Sequence, residues 1–377
     1  MELTRDDESI LDGRDGEGKR KAMEILVALG EINEAQKLVP ISSAQVSGVS
    51  YKTIGDYGLE FLSEWASHDT KVKAFTTLNP AGVDPDIANE MGYSKTFIEK
   101  QRQIIEVYRS MGIIPSCTCT PYLAGNLPEF GESVAWAESS SVIFANSVLG
   151  ARTNIESGVS ALSSALIGKT PYYGLHIKQN RKPTFEVTVE ASLEDMSDYA
   201  AMGYAIGQEH DGIPLFKGIT PTRDDMKLMG AALATGSISM FHVEDVTQEY
   251  AREEKLEKIT FGQRELREAY DVLNTIDDPD IICIGCPHCS INEAMDVIKS
   301  DPKREVWIFT ARQNRSILEK HAKGKNVKII CDTCMVVSPL EDLGIKSVGV
   351  NSAKAAFYCR NLSRLDVRFD SLKRLIG

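Results

Sequence analysis

Apolar residues set the first landmarks along the chain. Over Glu17–Ile32, Ala22, Ile25, Leu26 and Leu29 fall at helical spacing, with Gly30 and Asn33 placed to end the helix. Residues 96–111 carry a second amphipathic pattern, whose apolar face is Phe97, Ile104, Ile105, Tyr108 and Met111. Between them the chain reads as a Ser/Gly-rich loop, VPISSAQVSGVSYKTIGDYG, and then a helix, LEFLSEWA. A short strand at 71–77 follows, closed by the turn Asn79-Pro80-Ala81-Gly82. The middle third is rich in small residues; it predicts a strand at 185–190, helices at 195–207 and 224–234, and a strand in SISMFHV.

The last third is the most regular. Apolar runs at 281–284, 305–309, 327–330 and 346–350 predict buried strands, separated by helical patterns from about 291, at 315–321 and after 354. Strands alternating with helices imply an α/β fold with mainly parallel sheets and right-handed crossovers. Ligands in such sheets sit beyond the carboxyl ends of the strands, and the segments holding Cys286, Cys334 and Lys354 each follow a strand directly. The length suggests lobes at 1–150, 151–260 and 261–377.

Composition and charge narrow the classes. With 42% apolar and 25% charged residues, wholesale disorder is excluded. No apolar run approaches the roughly 20 residues that span a bilayer, and MELTRDDESILDGRDGEGKRK lacks the basic start and apolar core of an export signal. Eight cysteines without such a signal point to a reducing, cytoplasmic setting and to thiols, metal sites or clusters rather than disulfides. A net charge of −12 speaks against nucleic acid or an anionic membrane as partner. An anionic ligand would need local positive charge in its pocket.

The cysteines fall in Cys283-x-x-Cys286-x-x-Cys289, Cys331-x-x-Cys334 and Cys117-x-Cys119, with Cys359 apart. Three readings compete: a zinc site of paired C-x-x-C knuckles, a four-thiolate electron-transfer cluster, and a catalytic cluster with three thiolates and one open iron. Cys283 and Cys331 sit inside or at the end of apolar runs, and Cys359 in a helical pattern, so all three read as core residues. That leaves Cys286, Cys334 and either Cys117 or Cys119 in loops.

PSCTCTPY, GCPHCS, CDTC and NSAK, together with VSGVSYKTIGDYG and ESSSVIFANSVLGARTN, resemble the aconitase X family over nearly the whole chain, in the family's order and at similar separations. The resemblance implies an aconitase-like, multi-lobed α/β/α fold and dehydration of a small hydroxy acid on an iron–sulfur cluster. It names Cys119, Cys286 and Cys334 as thiolate ligands of a [4Fe–4S] cluster with one iron not bound by cysteine. The chain ends soon after the NSAK helix, which implies that the swivelling domain, expected to supply the catalytic serine, is a separate small subunit. Length and short N-terminus are most similar to the archaeal branch, which implies conversion of (R)-5-phosphomevalonate to trans-anhydromevalonate 5-phosphate in isoprenoid synthesis. The alternatives are a cis-3-hydroxy-L-proline dehydratase of the same family and a non-catalytic metal or redox scaffold.

Each candidate contact has a plainer reading beside it. Ser47, Gly48, Val49 and Ser50 offer N–H groups and hydroxyls to a phosphate or carboxylate, or form an ordinary turn. Asn79 and Pro80 close a strand facing the pocket, or are turn chemistry alone. Glu138, beside Ser139, is a pocket acid or a solvated helix-start carboxylate. Arg152 suits a carboxylate or an inter-lobe ion pair. Lys354 at a helix start would attract an anion or lie on the surface. His288 serves the cluster or leaving oxygen, or hydrogen-bonds the backbone; His242 reads as a satisfied core histidine.

Overall fold

The computed structural model describes residues 1–249 and 255–377; residues 250–254 of the expected middle lobe lie outside the described residues. The architecture is α/β. Among the described residues, three parallel sheets and one short antiparallel pair are laid out in chain order, with helices between them.

The C-terminal sheet has five parallel strands in the order Val327–Cys331, Val306–Thr310, Ile281–Cys289, Ser347–Val350, Asp366–Phe369. Its central strand is buried on both faces, as helix-covered parallel strands are. Ile282 and Ile284 pack with Val297, Ile298 and Leu318 on one side, while Ile281 and Cys283 face Trp307, Phe309 and Val348 on the other. The four predicted strands are present, and Asp366–Phe369 is an unpredicted fifth. The helix after the central strand starts at a capping box in which Ser290 and Glu293 bond each other's backbone N–H.

The central strand departs from expectation at its end. It continues to Cys289 instead of stopping at 284, but its register with Val306–Thr310 shifts between Ile284 and Cys289. Gly285 makes the break: at φ +114 it takes a backbone form closed to other residues, and a β-carbon there would lie 2.2 Å from the Phe309 carbonyl. Cys286 thereby leaves the ladder.

The middle sheet orders His242–Val243, Pro214–Lys217, Phe185–Val189 and Glu257–Phe261, all parallel. The SISMFHV strand shrinks to its last two residues. Helices Met196–Glu209 and Arg223–Leu233 match the predicted ones within two residues at each end and pack on each other.

The N-terminal sheet corrects the sequence reading most. Ser43–Val46 lies between Phe75–Leu78 and Ala135–Trp136, all parallel, and Leu38–Pro40 pairs antiparallel with Lys169–Pro171. The segment read as a long Ser/Gly loop therefore holds two strands and the start of helix Tyr51–Ser67. Polar residues concealed the strand: Ser43 and Gln45 are buried and hydrogen-bonded, a tertiary arrangement that hydropathy does not register.

Candidate active site

The carboxyl ends of the N-terminal strands bring three segments to one edge. Ser43–Val46 delivers Ser47, Phe75–Leu78 delivers Asn79, and Ala135–Trp136 delivers Glu138. In the C-terminal sheet, Val327–Cys331 leads to Cys334, Ser347–Val350 leads to Lys354, and the broken central strand carries Cys286. The edges meet: Ala81 forms a bridge with Thr333, its N–H donating to the Asp332 carbonyl at 2.7 Å.

Lys354 joins the two edges. It occupies the first turn of helix Ala353–Asn361, started by the Ser352 hydroxyl accepting from the Ala355 N–H at 3.2 Å. Its ammonium pairs with Glu138 and donates to Ser140 Oγ at 3.2 Å. Glu138 caps helix Ser139–Phe144 and accepts from Asn79 Nδ2 at 2.6 Å and Ser140 Oγ at 3.1 Å. Burial opposes its charge, but the Lys354 cation and the hydrogen bonds from Lys354, Asn79 and Ser140 outweigh it and hold the carboxyl below its usual range. For Lys354, burial is outweighed by Glu138 and by the thiols of Cys286 and Cys119, so its pKa rises. Both groups are charged, which favours Glu138 as acceptor or base rather than acid.

Three thiols lie within electrostatic reach of this pair. Cys119, Cys286 and Cys334 are buried and unpaired, and each interacts electrostatically with Glu138 and Lys354. Burial raises all three thiols, and for Cys119 and Cys286 the neighbouring sulfurs add to it. The His288 N–H donates to Cys119 Sγ at 3.1 Å, and the backbone N–H groups of Val336 and Val337 lie toward Cys334 and favour its thiolate, though burial outweighs them. Cys117 sits on the other side of its loop, packed in the N-terminal core near Asp332, Arg312 and Arg109. Cys283, Cys331 and Cys359 are fully enclosed core residues.

His288 has no free nitrogen. Nε2 donates to the Thr333 carbonyl at 2.9 Å, so Nδ1 accepts from Thr118 Oγ1 at 2.9 Å. Burial lowers its pKa to about 4, so the ring is neutral. One side chain thus ties the Cys119 loop, the Cys286 segment and the Cys334 turn together.

The remaining candidates divide. Ser47 and Gly48 line a 270 Å³ cavity with Tyr108, Ser157 and Gly158. Val49 and Ser50 are buried, the Val49 carbonyl accepting from Gln101 and the Ser50 hydroxyl donating to the Val337 carbonyl at 2.8 Å. Pro80 is buried behind Asn79, and Ser139 is half-buried beside Glu138. Arg152 lies elsewhere, beside His176 and Arg181. His242 is buried, with Nε2 2.7 Å from the Arg181 carbonyl.

Three contributors escaped the sequence reading. Gln45 donates to Asn79 Oδ1 at 3.3 Å and to the Thr118 carbonyl at 2.8 Å. Thr118 holds His288. Lys227, fully buried in Arg223–Leu233, pairs with Glu293 and reaches the His288 carbonyl at 3.3 Å. A lysine inside the apolar run MKLMGAAL was the available signal for the last.

The donor set suits a polynuclear group. Among the described residues no three Cys, His, Asp or Glu side chains come as close together as one metal ion requires. A cluster spreads its thiolates over several atoms, and bound metal deprotonates a coordinating thiol that burial otherwise keeps neutral. Fold and site together define a parallel α/β protein that gathers three thiols and a lysine–carboxylate pair between two sheet edges.

The chain belongs to the aconitase X family. It matches that family's first domain over residues 1–179, second domain over 183–271 and third domain over 279–377; membership implies an iron–sulfur cluster. It is 47% identical to the phosphomevalonate dehydratase large subunit of Methanocaldococcus jannaschii, over 100% of this chain and 99% of that one. It is 46% identical to the protein of the same name from Methanothermobacter thermautotrophicus, over 99% and 98%. A cis-3-hydroxy-L-proline dehydratase of Hypocrea jecorina is 34% identical over 100% of this chain and 68% of its own length. The crystal structure of Thermococcus kodakaraensis aconitase X in its holo form superposes with a TM-score of 0.94 at 43% identity, covering 100% and 99% of the two chains. Among the described residues no helix is long and apolar enough to cross a membrane.

Proposed function

We propose that this chain is the large subunit of an iron–sulfur phosphomevalonate dehydratase, a hydro-lyase that removes water from (R)-5-phosphomevalonate to give trans-anhydromevalonate 5-phosphate. The carrying observation is that three sequence-distant thiols converge on one lysine–carboxylate pair. Cys119, Cys286 and Cys334 would hold a [4Fe–4S] cluster with one iron not bound by cysteine. When bound, such a cluster would supply Lewis-acid chemistry toward the tertiary hydroxyl that departs.

The chain's own residues bind and orient. Lys354 meets the substrate's negative charge in a buried setting, where an ion pair is worth more than in water. Glu138, kept ionised, accepts from a substrate hydroxyl and fixes Lys354 between the sheets. Asn79 and Gln45 hold Glu138 in that pose. The Ser47–Gly48 backbone beside its cavity offers a second anion contact. Dehydration removes one proton from the carbon beside the carboxylate and hydroxide from the next carbon. A small swivelling subunit, through a serine, would take the proton, so this chain alone should not turn over.

The test is an anaerobic assay of the chain reconstituted with iron, sulfide and its small subunit. Turnover of 5-phosphomevalonate and none of cis-3-hydroxy-L-proline is expected. Turnover of hydroxyproline alone would overturn the substrate, and full activity in a Cys119/Cys286/Cys334 triple serine variant would overturn the chemistry.

A further inference from the structure

The motif Ser47-Gly48-Val49-Ser50-Tyr51-Lys52 turns much of its chemistry away from the cavity and toward the Cys334 turn. Residues 334–338 curl back on themselves, the Ser338 N–H donating to the Cys334 carbonyl at 3.0 Å. Inside the curl the Val336 and Val337 N–H groups lie toward the Cys334 sulfur, where they favour its thiolate form. Outside it, three successive carbonyls are held by side chains from distant segments. Val336 O accepts from Ser363 Oγ at 3.3 Å, Val337 O from Ser50 Oγ at 2.8 Å, and Ser338 O from Lys52 Nζ at 3.1 Å. Tyr93 adds a bond to the Ser338 hydroxyl at 2.7 Å.

Peptide planarity makes the outer contacts matter to the sulfur. In a trans peptide the C=O and the following N–H point opposite ways, so a donor on Val336 O turns the Val337 N–H inward onto Cys334. Lys52 strengthens that donor. Its ammonium donates to Ser363 Oγ at 3.1 Å, which commits the hydroxyl's own hydrogen to Val336 O. The path from Lys52 through Ser363 to the Val336–Val337 peptide is a continuous chain of hydrogen bonds, each polarising the next, and the far N–H of that peptide lies toward Cys334. Glu341 fixes the ammonium in place at 2.9 Å. Gly55 frees this latch from the rest of its helix: at φ +60 it breaks Tyr51–Ser67 one turn in, so residues 51–54 orient independently.

We propose that Lys52, acting through Ser363, is a positioning residue for the Cys334 thiolate, and that it raises the reduction potential and slows the loss of the cluster bound there. This rests on the reading of Cys334 as a cluster ligand. Hydrogen bonds to ligand sulfur favour the more negative, reduced cluster.

The experiment uses the full chain with its cluster reconstituted, as wild type, Lys52→Met, Lys52→Arg, Ser363→Ala and Cys334→Ser. Two quantities are read: midpoint potential, and the rate of iron loss to bathophenanthroline disulfonate. Lys52→Met should bind wild-type iron and sulfide, shift the potential to more negative values and lose iron about fivefold faster, the effect of one hydrogen bond. Lys52→Arg should restore both. Ser363→Ala, a lesion of one hydroxyl, should shift both in the same direction and decides the matter where Lys52→Met does not fold. Wild-type potential and loss rate in Lys52→Met, or in Ser363→Ala where that variant decides, overturn the proposal. Wild-type iron content and potential in Cys334→Ser would instead overturn the ligand reading beneath it.

Discussion

The two sheets that meet at the site are made of opposite material. The C-terminal strands are Ile-Ile-Cys-Ile and Val-Trp-Ile-Phe, and the loops beyond them present two thiols, an imidazole and a lysine. The N-terminal strands are Ser-Ala-Gln-Val, Phe-Thr-Thr-Leu and Ala-Trp, and they bury their polar groups. Ser43 takes the Trp136 indole N–H at 3.1 Å, Thr77 the Asn126 amide at 2.9 Å, and the Gln45 amide N–H braces Asn79, while the Gln45 Oε1 has no hydrogen-bond partner among the described residues. The C-terminal edge contributes two of the gathered thiols and the lysine; the N-terminal edge contributes the third thiol with the carboxylate and amide that face them. A buried polar strand is stable only with its partners in place, so the N-terminal edge is built for a particular arrangement rather than for burial alone.

The largest effect should come from Cys119, the thiol that the N-terminal edge brings to the Lys354–Glu138 pair. Cys119→Ser should match Cys286→Ser and Cys334→Ser in losing iron and in lowering turnover by at least about 10²-fold, the loss that even outer-shell partners of a metal can cause. Iron analysis beside the activity assay measures it. Unchanged iron in Cys119→Ser would confine the cluster to the C-terminal sheet and break the two-edge description.

Next is the pair that crosses between the sheets. Lys354→Met or Glu138→Gln alone leaves a buried partner uncompensated and should cost about 3–5 kcal/mol in urea unfolding of the chain. The double variant should cost less than the sum. Because the native Glu138 carboxyl is held below its usual range, its contribution is present above that range and is lost as pH falls through the depressed value. Additive costs in the double variant would show that the edges do not meet through these groups.

Legibility divides along the same line. The C-terminal alternation could be read because its strands are apolar and its helices periodic, so Lys354 and Cys334 were placed beyond strand ends from pattern alone. Ser43–Val46 was hidden because Ser and Gln read as loop unless their partners are known. The choice of Cys119 over Cys117 came from motif, since alternate residues in an irregular loop carry no periodicity. Arg152 could not be placed by pattern; its neighbours His176 and Arg181 lie more than twenty residues away in sequence. His288 was legible as a residue but not as a role, because both of its bonds go to segments distant in sequence.

Acid should weaken the N-terminal half through His176. Burial, with Arg181 and Arg152 nearby, lowers its pKa to about 4. The folded chain refuses a proton that the unfolded chain takes below about 6.5, so the contribution is full above that value and is lost as pH falls toward 4. The span amounts to about 3 kcal/mol. Unfolding at pH 7.5, 6 and 5 should trace it, and His176→Gln should flatten that part of the slope. An unchanged slope in His176→Gln would move the acid sensitivity elsewhere, His288, whose pKa burial also lowers to about 4, being the next group to test.

The smallest effect is the sharpest test of where the N-terminal core ends and the site begins. Cys117 stands two residues before Cys119, at φ +44, which turns consecutive parts of the loop in different directions. Its sulfur packs with Val49, Ala81 and Ile113 in the N-terminal core rather than with the other thiols. Cys117→Ser puts a hydroxyl where a weakly polar sulfur was, at a cost of about 1 kcal/mol. Iron content should not change, and turnover should stay within about twofold of wild type, as for a substitution outside the reacting groups. Loss of iron in this variant, with Cys119→Ser intact, would exchange the two thiols and place the N-terminal edge one turn of the loop nearer the cluster.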